Sequence, residues 1–203
     1  MNFIRTVPAE QATGTLQELY DNDLQSLGYI ANYTKAMSLR PDVIAAWRNL
    51  IGTIRPKMRL RRYELVTFAA ASALRCTYCL LAHGAVLRKN FFTAEQVAAI
   101  ARDYRHAGLE PEEVAVMSFA EKVTLDAHSI TLQDVEALRQ RGLTDEEIVD
   151  IVLAASARNF FSKFLDAVGA SPDAVYLDLE PELREALVRG RPLETSVEVG
   201  YHA

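Results

Sequence analysis

Apolar residues in this chain recur three and four positions apart along almost its whole length, and no segment alternates cleanly. A chain patterned at the helical period, and not at the period of two, folds into packed helices. The repeating runs are rich in Ala, Leu, Val, Glu and Arg, most of them strong helix formers. Glycine and proline fall between the runs, as at Arg40-Pro41, Gly108 to Pro111, Gly142 and Ser171-Pro172. The expectation is an all-α fold with helices near 13–27, 42–54, 60–73, 77–89, 94–103, 111–126, 132–140, 145–157, 159–168 and 181–189. Two starts carry capping boxes, Thr93-Ala94-Glu95-Gln96 and Thr144-Asp145-Glu146-Glu147.

The chain of 203 residues, half of them apolar, can bury a substantial core as one domain. Its net charge of -5 speaks against a nucleic-acid surface. The basic cluster Arg55, Lys57, Arg59, Arg61, Arg62 is the local exception, and it reads as a solvated face at a helix start. Met1-Asn2-Phe3-Ile4-Arg5 lacks the apolar stretch of a secretory signal, and the uncharged run Leu65 to Leu74 is too short to cross a bilayer. The expected location is therefore cytoplasmic, with no membrane or nucleic-acid partner. After Pro192 the periodicity stops, so residues 191–203 read as a C-terminal arm on a domain spanning 1–190.

Leu60 to Cys76 superposes on Leu143 to Asn159 with an offset of 83. Glu64 then meets Glu147, Ala71 meets Ala154, Arg75 meets Arg158, Cys79 meets Ser162 and His83 meets Asp166. This reads as a degenerate repeat, with a motif half over about 40–105 and a second half over about 111–170 that kept the scaffold without the thiols. Chance likeness between two alanine-rich helices is the alternative.

The stretch Arg75-Cys76-Thr77-Tyr78-Cys79-Leu80-Leu81-Ala82-His83 holds both cysteines of the chain. On a helix, Cys76 and Cys79 share a face, and His83 follows Cys79 by one turn. An ordinary thiol titrates near ~8.5, so a nucleophilic cysteine needs a base, a cation or a helix N-terminus beside it. The expectation is that the CxxC opens a new helix, with the His83 imidazole within hydrogen-bonding reach of the Cys79 sulfur. Glu64, on the preceding helix, can return over His83 and orient the ring. Bland readings stand beside this one. The cysteines can be two small buried residues, or part of a zinc site. A closed zinc site needs four ligands, however, and His106, His128 and His202 show no ligand-like pairing. Glu64 can equally be a surface residue at a helix start.

At these residues the chain resembles the alkylhydroperoxidase D-like and carboxymuconolactone decarboxylase superfamily, in its peroxidase-related branch. Glu64, eleven intervening residues, Cys76 and Cys79 as CxxC, then three residues and His83, fit every position of the family pattern. Leu39-Arg40-Pro41-Asp42, Leu60-Arg61-Arg62-Tyr63-Glu64 and Arg158-Asn159-Phe160-Phe161 through Ala167-Val168-Gly169 extend the likeness over about 20–170. The resemblance implies a helical bundle with peroxidase or dithiol–disulfide oxidoreductase activity and catalytic residues Cys79, Cys76, His83 and Glu64. Cys79 would attack the peroxide and Cys76 would resolve the product, with His83 and Glu64 as the proton relay. It implies a dithiol reductant such as a lipoyl group and a homo-oligomer (dimer, trimer or hexamer); no cofactor and no metal are expected. Tyr78 stands where alkylhydroperoxidase D has a second histidine, a departure that bears on relay chemistry. A redox-sensing interaction protein and a lyase acting on a small acid are the competing readings. Trp47, Phe91 and Phe92 read as core, with Phe91-Phe92 alternatively flanking the way to the thiols. Phe160-Phe161 reads as core or as an apolar interface.

Overall fold

The computed structural model describes residues 2–193. Its elements are α1 (Thr15–Leu27), α2 (Asn32–Ala36), α3 (Pro41–Ile54), α4 (Leu60–Ala73), α5 (Thr77–Asn90), α6 (Ala94–Asp103), α7 (Pro111–Asp126), α8 (Leu132–Arg139), α9 (Asp145–Val168) and α10 (Pro181–Leu187), with short 3-10 turns between some of them. No strand occurs among the described residues, so the fold is all-α as the periodicity requires. Both capping boxes form: Thr93 with Gln96 and Thr144 with Glu147 exchange side-chain and backbone bonds. The expected arm lies, from residue 194 on, outside the described residues.

Helix α4 is the centre of the molecule. Tyr63 to Ala71 are buried without interruption. A helix apolar on every side has to be covered on every side, and α5, α7 and α9 do this. The consecutive alanines 69, 70 and 71 leave room for those neighbours to approach closely. The basic cluster only partly matches its reading. Arg55, Lys57 and Arg59 are exposed, but Arg61 pairs with Glu113 at 2.5 Å, and Arg62 joins Glu112 at 2.7 Å and also Glu147. Those acids lie in the first turns of α7 and α9, where the helix dipole favours negative charge.

The expected pair of helices over 145–157 and 159–168 is corrected to one continuous helix, α9. The charge of Arg158 interrupts the apolar pattern at that point. Arg158 is instead a buried mid-helix residue, 5 % exposed. Its counterpart Arg75 does end a helix, adopting φ 56° just after α4. The two segments of the echo thus differ where the thiols begin.

Phe160 and Phe161 divide their roles. Phe161 is buried and stacks on Trp47 with ring centroids 3.9 Å apart, while Phe160 is 48 % exposed. Helix α10 closes the thiol side of the bundle against α5 and α6. It seats closely because Gly84 has no side chain. A Cβ there would stand 2.7 Å from the Leu187 Cδ1.

Candidate active site

The chain turns sharply between α4 and α5, and that turn aims the cysteines. Arg75 takes the left-handed conformation, rare for a residue with a Cβ. Cys76 is then the N-cap of α5, and Cys79 lies within its first turn. The CxxC therefore opens a helix, as expected. Unpaired N–H groups and the positive end of the helix dipole favour a thiolate there.

The two residues between the cysteines are anchors. The Thr77 hydroxyl accepts from the backbone N–H groups of Arg189, at 3.2 Å, and Gly190, at 3.0 Å. Tyr78 donates its hydroxyl hydrogen to Asp173 at 2.5 Å and accepts from the Tyr33 N–H at 3.0 Å. The Asn32 N–H donates to the other Asp173 oxygen at 2.7 Å. Burial, and then Asp173, hold the Tyr78 hydroxyl well above its ordinary pKa. Tyr78 is thus tied into a structural network.

Glu64 and His83 meet. The Glu64 Oε2 lies 2.6 Å from His83 Nδ1, and the Thr67 Oγ1 lies 3.2 Å from the same nitrogen. Glu64 is buried, and the His83 side chain keeps 12 % of its surface exposed. With Nδ1 facing the carboxylate, Nε2 is the nitrogen left for exchange with other groups.

The surroundings of the Cys79 sulfur correct one expectation. Among the described residues, the Ser162 hydroxyl at 3.2 Å and the Arg158 Nη1 at 3.5 Å, both from α9, donate to this sulfur, and no hydrogen bond joins it to the His83 imidazole. Cys76 Sγ lies 3.8 Å from the Ser162 carbonyl oxygen and can alternatively donate its one proton to Cys79. Both cysteines are free thiols and buried, Cys76 at 0 % and Cys79 at 2 % exposure.

These contacts separate the two thiols electrostatically. The hydrogen bond from Cys76 is the largest influence pulling Cys79 below the ordinary thiol range. Burial opposes it, and the Arg158 charge, the Ser162 hydroxyl and His83 reinforce it. The same bond, with burial, pushes Cys76 upward. The arrangement favours the thiolate at Cys79 and the protonated thiol at Cys76.

Arg158 and Ser162 were not singled out from the sequence as site residues. The signal was present: Arg158 is a charge among buried positions of α9, and the offset of 83 sets Ser162 against Cys79, the residue it touches. Phe92 packs under the Arg61 guanidinium, 4.4 Å from its centroid, and Phe91 and Trp47 lie against the core. No group of three or more metal-ligating side chains occurs among the described residues, and none of their helices is long and apolar enough to cross a membrane.

Residues 41–122, which carry all four motif positions, match the sequence model of the carboxymuconolactone decarboxylase family. Solved structures share the fold. An alkylhydroperoxidase D core described as a peroxidase-related protein, from Ralstonia eutropha JMP134, is 24 % identical with a TM-score of 0.80, covering 86 % of this chain and 94 % of that one. A peroxidase-related protein from Silicibacter sp. TM1040 is 23 % identical with a TM-score of 0.80, covering 87 % and 94 %. The debrominase Bmp8, solved with 2,3,4-tribromopyrrole, is 16 % identical with a TM-score of 0.70, covering 92 % and 96 %. No curated protein matches the chain.

Proposed function

We propose that this chain, whose residues 41–122 match the carboxymuconolactone decarboxylase family model and whose fold is that of alkylhydroperoxidase D-like structures, is a thiol peroxidase or dithiol–disulfide oxidoreductase working through Cys79 and Cys76. The observation that carries this reading is the asymmetric thiol pair at the α5 N-terminus, with Cys79 favoured as the thiolate and Cys76 as the thiol.

The Cys79 thiolate attacks the outer oxygen of a hydroperoxide. The O–O bond breaks, the sulfur gains an S–O bond, and the alkoxide leaves with one proton as the alcohol. His83, oriented by Glu64, supplies that proton and is recharged from the solvent side, where its ring is partly exposed. Cys76 then attacks the sulfenic acid, and water leaves as the disulfide closes. An external dithiol, of which a lipoyl group is one example, returns two electrons; one of its two protons stays on Cys76 and the other is released, matching the proton that His83 gave to the alkoxide. Since both sulfurs are buried, the oxidant reaches Cys79 only when the side chains covering it move aside.

The competing reading is a sensor oxidised once per molecule. Peroxide loss distinguishes the two. A peroxidase consumes many equivalents of organic hydroperoxide with a dithiol present, and a sensor consumes one. Under the proposed function, Cys79→Ser abolishes turnover, Cys76→Ser stops after one equivalent with a trappable sulfenic acid, and Glu64→Gln slows turnover by about 10²-fold, within the usual range for general acid–base catalysis. Undiminished peroxide consumption by both cysteine variants defeats the reading.

A further inference from the structure

We infer that Arg158 is the buried counter-ion of Cys79, making the Cys76–Cys79 disulfide strongly oxidising and easily reduced by mild dithiols. The inference takes from the proposed function only that Cys79 is the reactive sulfur, and its test uses no peroxide.

A guanidinium taken out of water requires an anion. Arg158 is 5 % exposed, and among the described residues no carboxylate forms an ion pair with it. Its Nη1 lies 3.5 Å from the Cys79 sulfur, and it lies over the Phe161 ring at 5.5 Å. Its charge also acts on the Tyr63 hydroxyl. Its Nε is buried without any partner. Tyr63 and Cys76 also act on this guanidinium, but burial pushes the Tyr63 hydroxyl up and the bond to Cys79 pushes the Cys76 thiol up, so both stay neutral and the compensating negative charge falls to the Cys79 thiolate. The other charged or titratable groups acting on this sulfur are Cys76 and His83 from α5, Asp166 from α9 and Tyr176 from the turn before α10. Asp166 and Tyr176 can only add negative charge, so they cannot take the place of Arg158.

The consequence follows from the electron balance. Reduction of the disulfide takes two electrons and one proton and gives the Cys79 thiolate and the Cys76 thiol. The thiolate neutralises Arg158, whereas the disulfide leaves this cation buried and alone. A fold that stabilises the reduced form against the oxidised one raises the reduction potential.

The test is the pH dependence of Cys79 alkylation, together with the redox equilibrium against glutathione. Arg158→Met keeps the length and apolar bulk of the side chain and removes its charge. We expect the alkylation midpoint to rise by at least one unit, with full rate recovered at high pH, and the disulfide to become at least tenfold harder to reduce, about 30 mV. Arg158→Lys, retaining a charge, should fall between the two. A merely structural role would lower the rate at every pH without moving the midpoint. An Arg158→Met midpoint within about 0.3 units of wild type overturns the inference. If Arg158→Met does not fold, Arg158→Lys and the wild type decide. A lysine midpoint equal to wild type with a glutathione equilibrium at least tenfold altered, or an oxidised wild type more resistant to urea than the reduced one, overturns it.

Discussion

The Ser162 hydroxyl donates to the Cys79 sulfur at 3.2 Å, joining α9 to the first turn of α5. A hydrogen bond to an ionised acceptor is worth about 1.5–3 kcal/mol net, somewhat less where the acceptor is a large, soft sulfur. Ser162→Ala removes the donor and leaves a residue that favours the helix. The expected outcome is a Cys79 alkylation midpoint raised by roughly one unit, with about tenfold slower alkylation below it, and helicity unchanged by circular dichroism. An unmoved midpoint means the hydroxyl does not stabilise the thiolate.

Much of the fold was legible because it rests on local chemistry. Pro41 at the first position of α3, the Thr93 and Thr144 caps and the Gly169 C-cap of α9 each lie beside the boundary they mark. The helix bounds consequently fell within two residues, except at Arg158. Helix α2, five residues long, was not anticipated because so short a segment shows no period. At the site, Glu64, Cys76, Cys79 and His83 were readable because α4 and α5 are consecutive and their spacing is fixed by helix geometry. Arg158 and Ser162 reach the sulfur across 79 and 83 residues of chain, and only tertiary packing brings them there.

Tyr78 links the thiol motif to the loop at Asp173. Tyr78→Phe removes the donor to one Asp173 oxygen and the acceptor of the Tyr33 N–H, in a buried setting. Stranding such groups costs about 1–3 kcal/mol each before relaxation. A loss of about 2 kcal/mol is expected from urea denaturation. The Cys79 alkylation midpoint should stay within a few tenths of a unit, since the hydroxyl is directed to Asp173 and Tyr33. Unchanged stability together with lost turnover would place Tyr78 in the proton relay instead.

The unequal thiols set a pH profile for the stability of the reduced protein. Cys79 is lowered and Cys76 raised, each chiefly by the bond between them. In the unfolded chain both return to about 8.5. A lowered acid contributes stability that is present above its unfolded value and lost as pH falls through its folded value. Stability from Cys79 therefore grows as pH rises toward about 8.5. A raised acid contributes stability that is present below its unfolded value and lost as pH rises beyond it, so Cys76 lowers stability above about 8.5. Asp173, raised mainly by burial, works in the acid range, and it does so equally in wild type and Cys79→Ser. The difference in urea midpoint between those two proteins, under a phosphine reductant, should accordingly widen from pH 5 to about pH 8.5. A difference that stays flat over that interval shows that Cys79 is protonated in the folded state, and the asymmetry on which the proposed chemistry rests is then absent.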